Sequence, residues 1–341
     1  MAATIKDVAK KAGVAPSTVS RVIADSSRIS LNTKKRVRKA MKELGYHPNI
    51  NARNLAVRSS QAIGVIMPSS ADKALQNPFF PEVLRGIGAF AHELEYSLYV
   101  STGENDETTF EEVQRMVNGH RVDGLILLYS RNNDPVQQFL MEENFPFVIV
   151  GKPSKDESEI TYVDNNNFKA SQELAKHLID MGHQHLGFIG GSLELTVTQE
   201  RLNGFRSAIR ENNLPLSDDY IVHTEFLKSG GTEAVEKLFA LDHPPTGLVV
   251  SDDLMTLGVI HAIKEIGLQC PEDVSLTSFN NLYLSEITHP PLTTVDINIY
   301  QLGFQSARCL IEQTKNKEEP AKRIIVPYEI KYRSSTKPLY S

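Results

Sequence analysis

The chain has 341 residues, 40% of them hydrophobic, and two cysteines, Cys270 and Cys309, so it can hold a small domain plus two of ordinary size, with both cysteines expected as buried thiols. There is no signal-like start and no apolar run of about 18 residues, which argues against an exported or membrane-spanning protein and for a cytoplasmic, nucleoid-associated one. The net charge of −6 conceals an asymmetry, because residues 1–58 carry 13 Lys/Arg against 3 Asp/Glu while the remainder carries 23 against 39. A basic head on an acidic body draws nucleic acid to the head and keeps the body from adhering to it nonspecifically.

Residues 4–46 read as a helix-turn-helix. Ile5, Val8, Ala9 and Ala12 fall at helical spacing, with Thr4 and Asp7 as a capping-box-like start and Gly13 as a stop. After the short turn Val14-Ala15, Pro16 suits the first turn of a second helix whose core side is Val19, Val22 and Ile23. Its outward side, Ser17, Thr18 and Arg21, offers small hydrogen-bonding groups and one guanidinium to phosphates and base edges. A third, basic helix follows in SLNTKKRVRKAMKELGY, with Val37, Met41 and Leu44 inward. The tight turn, polar outer face and basic third helix together predict DNA binding.

The connector HPNINARNLAVRSSQ (47–61) holds at most one to two helical turns, too few to be stable alone. Asn51, Arg53 and Arg58 are polar or basic and Leu55 is an isolated large apolar residue. Two copies in a minor groove could insert Leu55 between base steps, but composition by itself favours a plain linker.

From Ala62 onward, near-continuous apolar strands alternate with amphipathic helices. The strands are AIGVIM (62–67), SLYVS (97–101), GLILLY (124–129) and FVIV (147–150), with helices expected at Glu82–Leu94, Glu107–Asn118 and Pro135–Glu143. A second series is expected to open at ITYVD (160–164) and continue with HLGFIG (185–190), IVHT (221–224), TGLVVS (246–251) and VSLTSF (274–279). Such strands are parallel and covered on both faces, so the fold class is α/β. An all-α helix-turn-helix head precedes two doubly wound lobes with a ligand cleft between them. Residues 1–48 are expected to form the DNA-binding domain, 49–60 a hinge helix or linker, and 61–341 the two-lobed body, which the resemblance given below makes the effector-binding and dimerisation domain. Its first lobe spans about 61–161 and 296–324, and its second about 162–295 and 325–341. The segments TTVDI (293–297) and RIIVPYEI (323–330) return the chain between lobes.

The head IKDVAKKAGVAPSTVSRVI, the joint ARNL and the body pieces RLNGF, SDDLMTLGV and HPPLTTVD resemble the LacI/GalR family of bacterial repressors from about Thr4 to Arg333. Within it, NPFFPEVLRGI, LLYSRNND, FPFVIVGKP, EITYVDNNN and SFNNLYLSEI look most like the maltose/maltodextrin-operon repressors of Gram-positive bacteria. The resemblance implies a two-lobed periplasmic-binding-protein-like body and a homodimer on a pseudopalindromic double-stranded operator. It places Pro16, Ser17 and Arg21 toward bases, with Arg21 the main discriminator, and Thr18, Ser20, Asn32 and Thr33 toward phosphates. Thr4, Asn51 and Arg53 complete the DNA-facing set, and Leu55 matches the hinge-helix residue that opens the central base step. The tail KYRSSTKPLYS lacks a tetramerising leucine heptad, so a dimer is expected.

For the effector, the resemblance puts Phe79 and Phe80 in a first-lobe loop over the ligand and takes Arg201, Phe226, Asp252 and Asn280 from the second lobe. Aromatic rings suit the C–H face of a pyranose, and planar polar groups suit vicinal hydroxyls. Where several family members have an aspartate, this chain has Gly151 beside Lys152, and position 280 is Asn rather than the commoner Asp. Blander readings stand beside these: Phe79 and Phe80 as core, Arg201 as a salt-bridge former, Asp252 and Asp253 as helix caps, Asp253 above all. The pair His183 and His185 lacks a third ligand, so neither metal nor cofactor is expected. The leading function is a repressor released from its operator by a small sugar, maltose or a maltodextrin, with no membrane partner. The alternatives are a catabolite-type regulator strengthened by a corepressor or phosphorylated partner protein, and a sugar-binding protein without regulatory role. An enzyme is not expected, since no phosphate-binding glycine loop or G-x-S-x-G motif is present.

Overall fold

The computed structural model describes residues 3–23, 26–46, 59–68, 71–316 and 318–339. Two compact units divide the chain, Met1–Gln61 and Ala62–Ser341. In the first, α1 (Ile5–Ala12), α2 (Pro16–Ile23) and α3 (Leu31–Leu44) enclose a small core of Val8, Ala9, Ala12, Val19, Val22 and Val37. The hydroxyl of Thr4 accepts from the Asp7 N–H, and the Asp7 carboxylate accepts in return from the Thr4 N–H at 2.9 Å, a reciprocal cap that fixes where α1 begins. Gly13 ends α1 in the left-handed conformation, and Ser30 caps α3 through the Thr33 N–H. The connector helix expected over Asn49–Val57, with Asn51, Arg53 and Leu55, lies outside the described residues.

In the second unit, β1 (Ala62–Ile66), β2 (Ser97–Val100), β3 (Gly124–Leu127) and β4 (Phe147–Val150) alternate with α4 (Ala71–Gln76), α5 (Phe79–Glu93), α6 (Asp106–Asn118) and α7 (Pro135–Glu142). After β5 (Tyr162–Asp164) come α8 (Asn167–Asp180), β6 (Leu186–Gly190), α9 (Thr196–Glu211), β7 (Ile221–His223) and α10 (Lys228–Leu238). Then follow β8 (Gly247–Val250), α11 (Asp253–Glu265), β9 (Ser275–Phe279), α12 (Tyr283–Ile287), β10 (Thr293–Asp296), α13 (Ile299–Lys315), β11 (Arg323–Ile325) and β12 (Glu329–Lys331). One sheet has the order β11-β5-β4-β3-β1-β2 and is parallel throughout. The other has the order β12-β10-β9-β8-β6-β7, parallel except where β12 runs against β10. Strands β1, β3, β4 and β5 are buried along their whole length, as sheets covered by helices on both faces require.

Helices α5 and α13 lie together on the first sheet with backbones in close approach. A Cβ at Gly86 would strike the carbonyl of Tyr300, and one at Gly303 the carbonyl of Val83, so both positions must lack a side chain.

Two sequence expectations change. The segment ITYVD does not open the second lobe: its strand β5 sits inside the first sheet, Tyr162 opposite Ile149 and Val163 opposite Val150. A short apolar strand carries no mark of which sheet it joins, and the chain leaves the first lobe only at Asn165. Phe79 and Phe80 lie on the first turn of α5, not in a loop, because Pro78 stands at the N-cap and Pro81 falls in the first turn, where its missing N–H costs nothing. The chain crosses between sheets three times: after β5, after β10 and between β11 and β12. Asn165 ties the crossings together, its amide donating to the carbonyls of Ile297 at 3.0 Å and Val326 at 2.8 Å.

Candidate functional site

In doubly wound sheets the loops after the strands converge where the strand order reverses, and ligands bind there. Both sheets obey this rule toward each other. From the first come Asn77, Phe79 and Phe80 after β1, Tyr129 and Ser130 after β3, Gly151 after β4 and Asp164 at the end of β5. From the second come Thr196 and Arg201 after β6, Phe226 after β7, Ser251 and Asp252 after β8 and Asn280 after β9. Together they line a chamber of about 120 Å³ between the lobes. All six effector residues expected from the sequence, Phe79, Phe80, Arg201, Phe226, Asp252 and Asn280, are in this one wall, as is Gly151.

Arg201 is buried, its Nε donating to Asn167 at 2.9 Å and its Nη1 to the Ser251 carbonyl, with the guanidinium 4.0 Å from the centre of the Phe279 ring. Burial pushes it down to about 10, against the pull of Asp252, Asp164 and Asp253. Asp252 divides its oxygens. Oδ1 caps α11 by accepting from the Leu254 and Met255 N–H groups at 2.7 and 3.2 Å. Oδ2 accepts from Asn280 at 2.7 Å and, across the cleft, from Asn77 of the first lobe at 3.0 Å. The cap is therefore Asp252 and not Asp253. Asp253 is instead a buried tie, accepting from the Leu282 N–H at 2.7 Å and the Thr294 hydroxyl at 2.9 Å. Burial pushes Asp164 up to about 7, Asp253 up to about 7, and Asp252 upward as well.

Asn280 has φ +106, a conformation few side chains accept and asparagine tolerates better than most. Its N–H is held by the Val295 carbonyl at 2.8 Å, which aims the amide at Asp252. Phe79 and Phe80 meet edge to face, 5.2 Å between centres. The hydroxyls of Ser130 and Ser251, both on the chamber wall, are buried and have no hydrogen-bond partner among the described residues. Buried polar atoms are seldom left so, and each of these hydroxyls can donate to or accept from a hydroxyl group placed in the chamber. Asn77, Tyr129, Ser130, Asp164 and Ser251 were not anticipated from the sequence. The run Asp164-Asn165-Asn166-Asn167, four short polar residues directly after an apolar strand, is the one local signal that could have found part of them.

On the head, Pro16, Ser17, Ser20 and Arg21 are exposed and Thr18 half-buried, while Val19 and Val22 face the core. Asn32 is exposed at the start of α3, and the half-buried Thr33 shares a 3.0 Å hydrogen bond with the Ser30 hydroxyl. Thr4 belongs first to its cap, where its hydroxyl donates to Asp7 at 2.6 Å.

Residues 4–49 match the model for bacterial regulatory proteins of the lacI family, and residues 175–336 that for the periplasmic binding protein-like domain. The HTH-type transcriptional regulator MalR of Streptococcus pneumoniae is 40% identical over 337 residues, 97% of this chain and 99% of that protein. The chain belongs to the LacI family. Among solved structures, a LacI transcriptional regulator from Bacillus cereus subsp. cytotoxis is 49% identical with TM-score 0.81, covering 82% of this chain and 99% of that one. A structure named for the maltose operon transcriptional repressor malR of Staphylococcus aureus is 30% identical with TM-score 0.73, covering 81% of this chain and 97% of that one. Such proteins are transcriptional regulators, and the helical head and two-sheet body of this chain are those of a DNA-binding repressor of that family.

Proposed function

We propose that this protein is a dimeric repressor that leaves its operator when a neutral glucose oligosaccharide of the maltose series binds between the lobes. The observation that carries the choice of ligand class is the charge of the chamber. Its wall holds two carboxylates, Asp164 and Asp252, against one guanidinium, and Arg201 is already engaged by Asn167 and Ser251. The one guanidinium on that wall is balanced by Asp252 and shared with Asn167 and Ser251, so a phosphosugar's double charge would meet no uncompensated cation there, whereas hydroxyl groups donate to carboxyl oxygens and accept from amides. Three phenylalanines supply apolar faces for pyranose rings. The preference for an α-glucan comes from the relatives named for MalR and the maltose operon. Two copies would each place α2 in a major groove, with Pro16, Ser17 and above all Arg21 toward base edges and Thr18, Ser20, Asn32 and Thr33 positioning the backbone.

Calorimetry with maltose, maltotriose and glucose 6-phosphate, followed by gel shifts on operator DNA, tests this reading. The expected result is saturable heat with the neutral sugars only, and release of the operator by the same sugars. Saturation by the phosphosugar or by a purine, with silence from the glucans, overturns the effector assignment and leaves the repressor reading standing.

A further inference from the structure

The chain passes between the lobes at one side of the body. The three crossings belong to β5, β10, β11 and β12, which stand toward one edge of each sheet, whereas β1 and β3 of the first sheet and β6 and β7 of the second stand toward the other. On that far side the loops that follow β3 and β6 meet. The Thr196 N–H donates to the Ser130 carbonyl at 3.0 Å, the Asn132 N–H donates to the Glu194 carbonyl at 3.2 Å, and Arg131 faces Leu195 as an antiparallel bridge. We propose that segments 130–132 and 194–196 form a main-chain latch, which keeps the lobes together in the effector-free protein and must part before any molecule reaches the chamber. The latch does not depend on which effector that chamber takes.

Ser130, Leu195 and Thr196 are on the chamber wall, so the latch is part of what encloses it. At about 120 Å³ the chamber is smaller than the roughly 300 Å³ at which small-molecule sites usually begin, so the lobes have to separate to admit one. Each half of the latch is built rigid by its own lobe. In the first, the guanidinium of Arg131 lies 5.3 Å from the centre of the Tyr129 ring and donates to Asp106 at 2.7 Å and to Asp134. Asp106 opens α6, and Asp134 caps α7 through the N–H groups of Val136 and Gln137 at 2.7 and 3.0 Å, so the rim after β3 is tied to the starts of two helices. In the second, Leu195 is the extended N-cap of α9 and Thr196 its first residue. Two preformed edges joined by two hydrogen bonds can part and rejoin without either lobe unfolding. Lys73 and Glu225 also pair between the lobes, at 2.7 Å, but both are more than half exposed, and solvent and salt weaken such a pair.

The test is the rate at which a thiol reagent reaches the chamber of the full chain with no effector present. Ser251→Cys supplies the thiol, since Ser251 is fully buried on the chamber wall and its hydroxyl has no partner among the described residues. In that background Thr196→Pro deletes one latch N–H at the first position of α9, where proline is favoured. Leu195 before it, at φ −82 and ψ 128, already has the conformation of a residue that precedes proline. Thr196→Ala removes the hydroxyl and keeps the N–H. Asn132→Pro and Asn132→Ala make the same comparison at the other bond, and Asn132 is exposed. The introduced thiol is expected to label about tenfold faster in each proline variant than in its alanine partner, while Cys309, buried in the core, labels no faster. Acceleration in either pair alone supports the latch. Equal rates within both pairs, or the same acceleration at Cys309, overturn it, as does labelling of the Ser251→Cys protein at the rate of an exposed cysteine. Main-chain bonds also leave the rate nearly unchanged between low and high salt. A steep rise with salt would assign the closure to Lys73 and Glu225 and overturn the main-chain latch.

Discussion

Asp252 serves helix α11 with one oxygen and the cleft with the other, and that division makes it a cleaner probe than Arg201. Replacing the buried Arg201 by alanine would strand Asp164 and Asp252 without their compensating charge, and the resulting loss of stability would obscure any loss of ligand. In Asp252→Asn the side-chain carbonyl can still cap α11, since asparagine caps as well as aspartate, but an NH2 group then opposes the amides of Asn77 and Asn280. The expected outcome is a melting temperature within a few degrees of wild type and at least a tenfold loss of sugar affinity, read by calorimetry, with operator binding retained. Asp164 gives a pH signature. Folding raises its carboxyl from the ordinary 3.8 to about 7, so between these values the folded chain keeps a proton that the unfolded chain has lost. The contribution to stability is present at low pH and falls away as pH rises through that window. Asp164→Asn cannot titrate, so its melting temperature should gain on wild type between pH 5 and pH 7.5; parallel profiles would refute the assignment. That Phe79, Phe80, Arg201, Phe226, Asp252 and Asn280 would share one chamber was legible only through family resemblance. Asn77 and Ser130 escaped because they reach the chamber from strand ends far apart in the chain, which no local pattern records.

At the scale of elements, α2 shows why the head was readable. Eight residues with Val19 and Val22 buried and Ser17, Ser20 and Arg21 exposed leave one way to fold the helix and one side to offer. Arg21 is the cation on that exposed side. Arg21→Ala should therefore abolish discrimination between operator and random DNA at matched salt, while dimerisation and sugar affinity stay unchanged. A good bidentate base contact is worth about 1–3 kcal/mol and a dimer forfeits it twice, so retention of operator affinity within threefold would dismiss the role. The body's strands were equally legible, since parallel strands buried on both faces are continuous apolar runs. Two features were not. Which sheet β5 joins depends on its register with Ile149 and Val150, and where α5 starts depends on how Pro78 and Pro81 are accommodated. The first is settled by tertiary neighbours, the second by how two prolines fit the first turn of a helix.

The whole molecule is a basic head and an acidic two-lobed body whose cleft is held from both sides. Asn77 reaches Asp252 across the cleft, and Asn165 binds the three crossings together, so any change in the separation of the lobes is felt at Asp252 and at the crossings at once. A sugar that seats on Asp252 must compete with Asn77, and its differential affinity for the two lobe arrangements sets how far it can shift them. If it lowers operator affinity a hundredfold, the coupling is about 2.8 kcal/mol, and linkage requires the operator to lower sugar affinity by the same hundredfold. Titrating maltose into the protein alone and into the protein saturated with operator measures this directly. The expected ratio of dissociation constants equals the ratio of operator affinities measured with and without saturating sugar. Asp252→Asn should move the sugar affinities while preserving the operator affinity of the sugar-free protein. Equal sugar affinity in the two states, alongside sugar-driven release, would violate the cycle and show that the released species is not the one the sugar binds in the cleft.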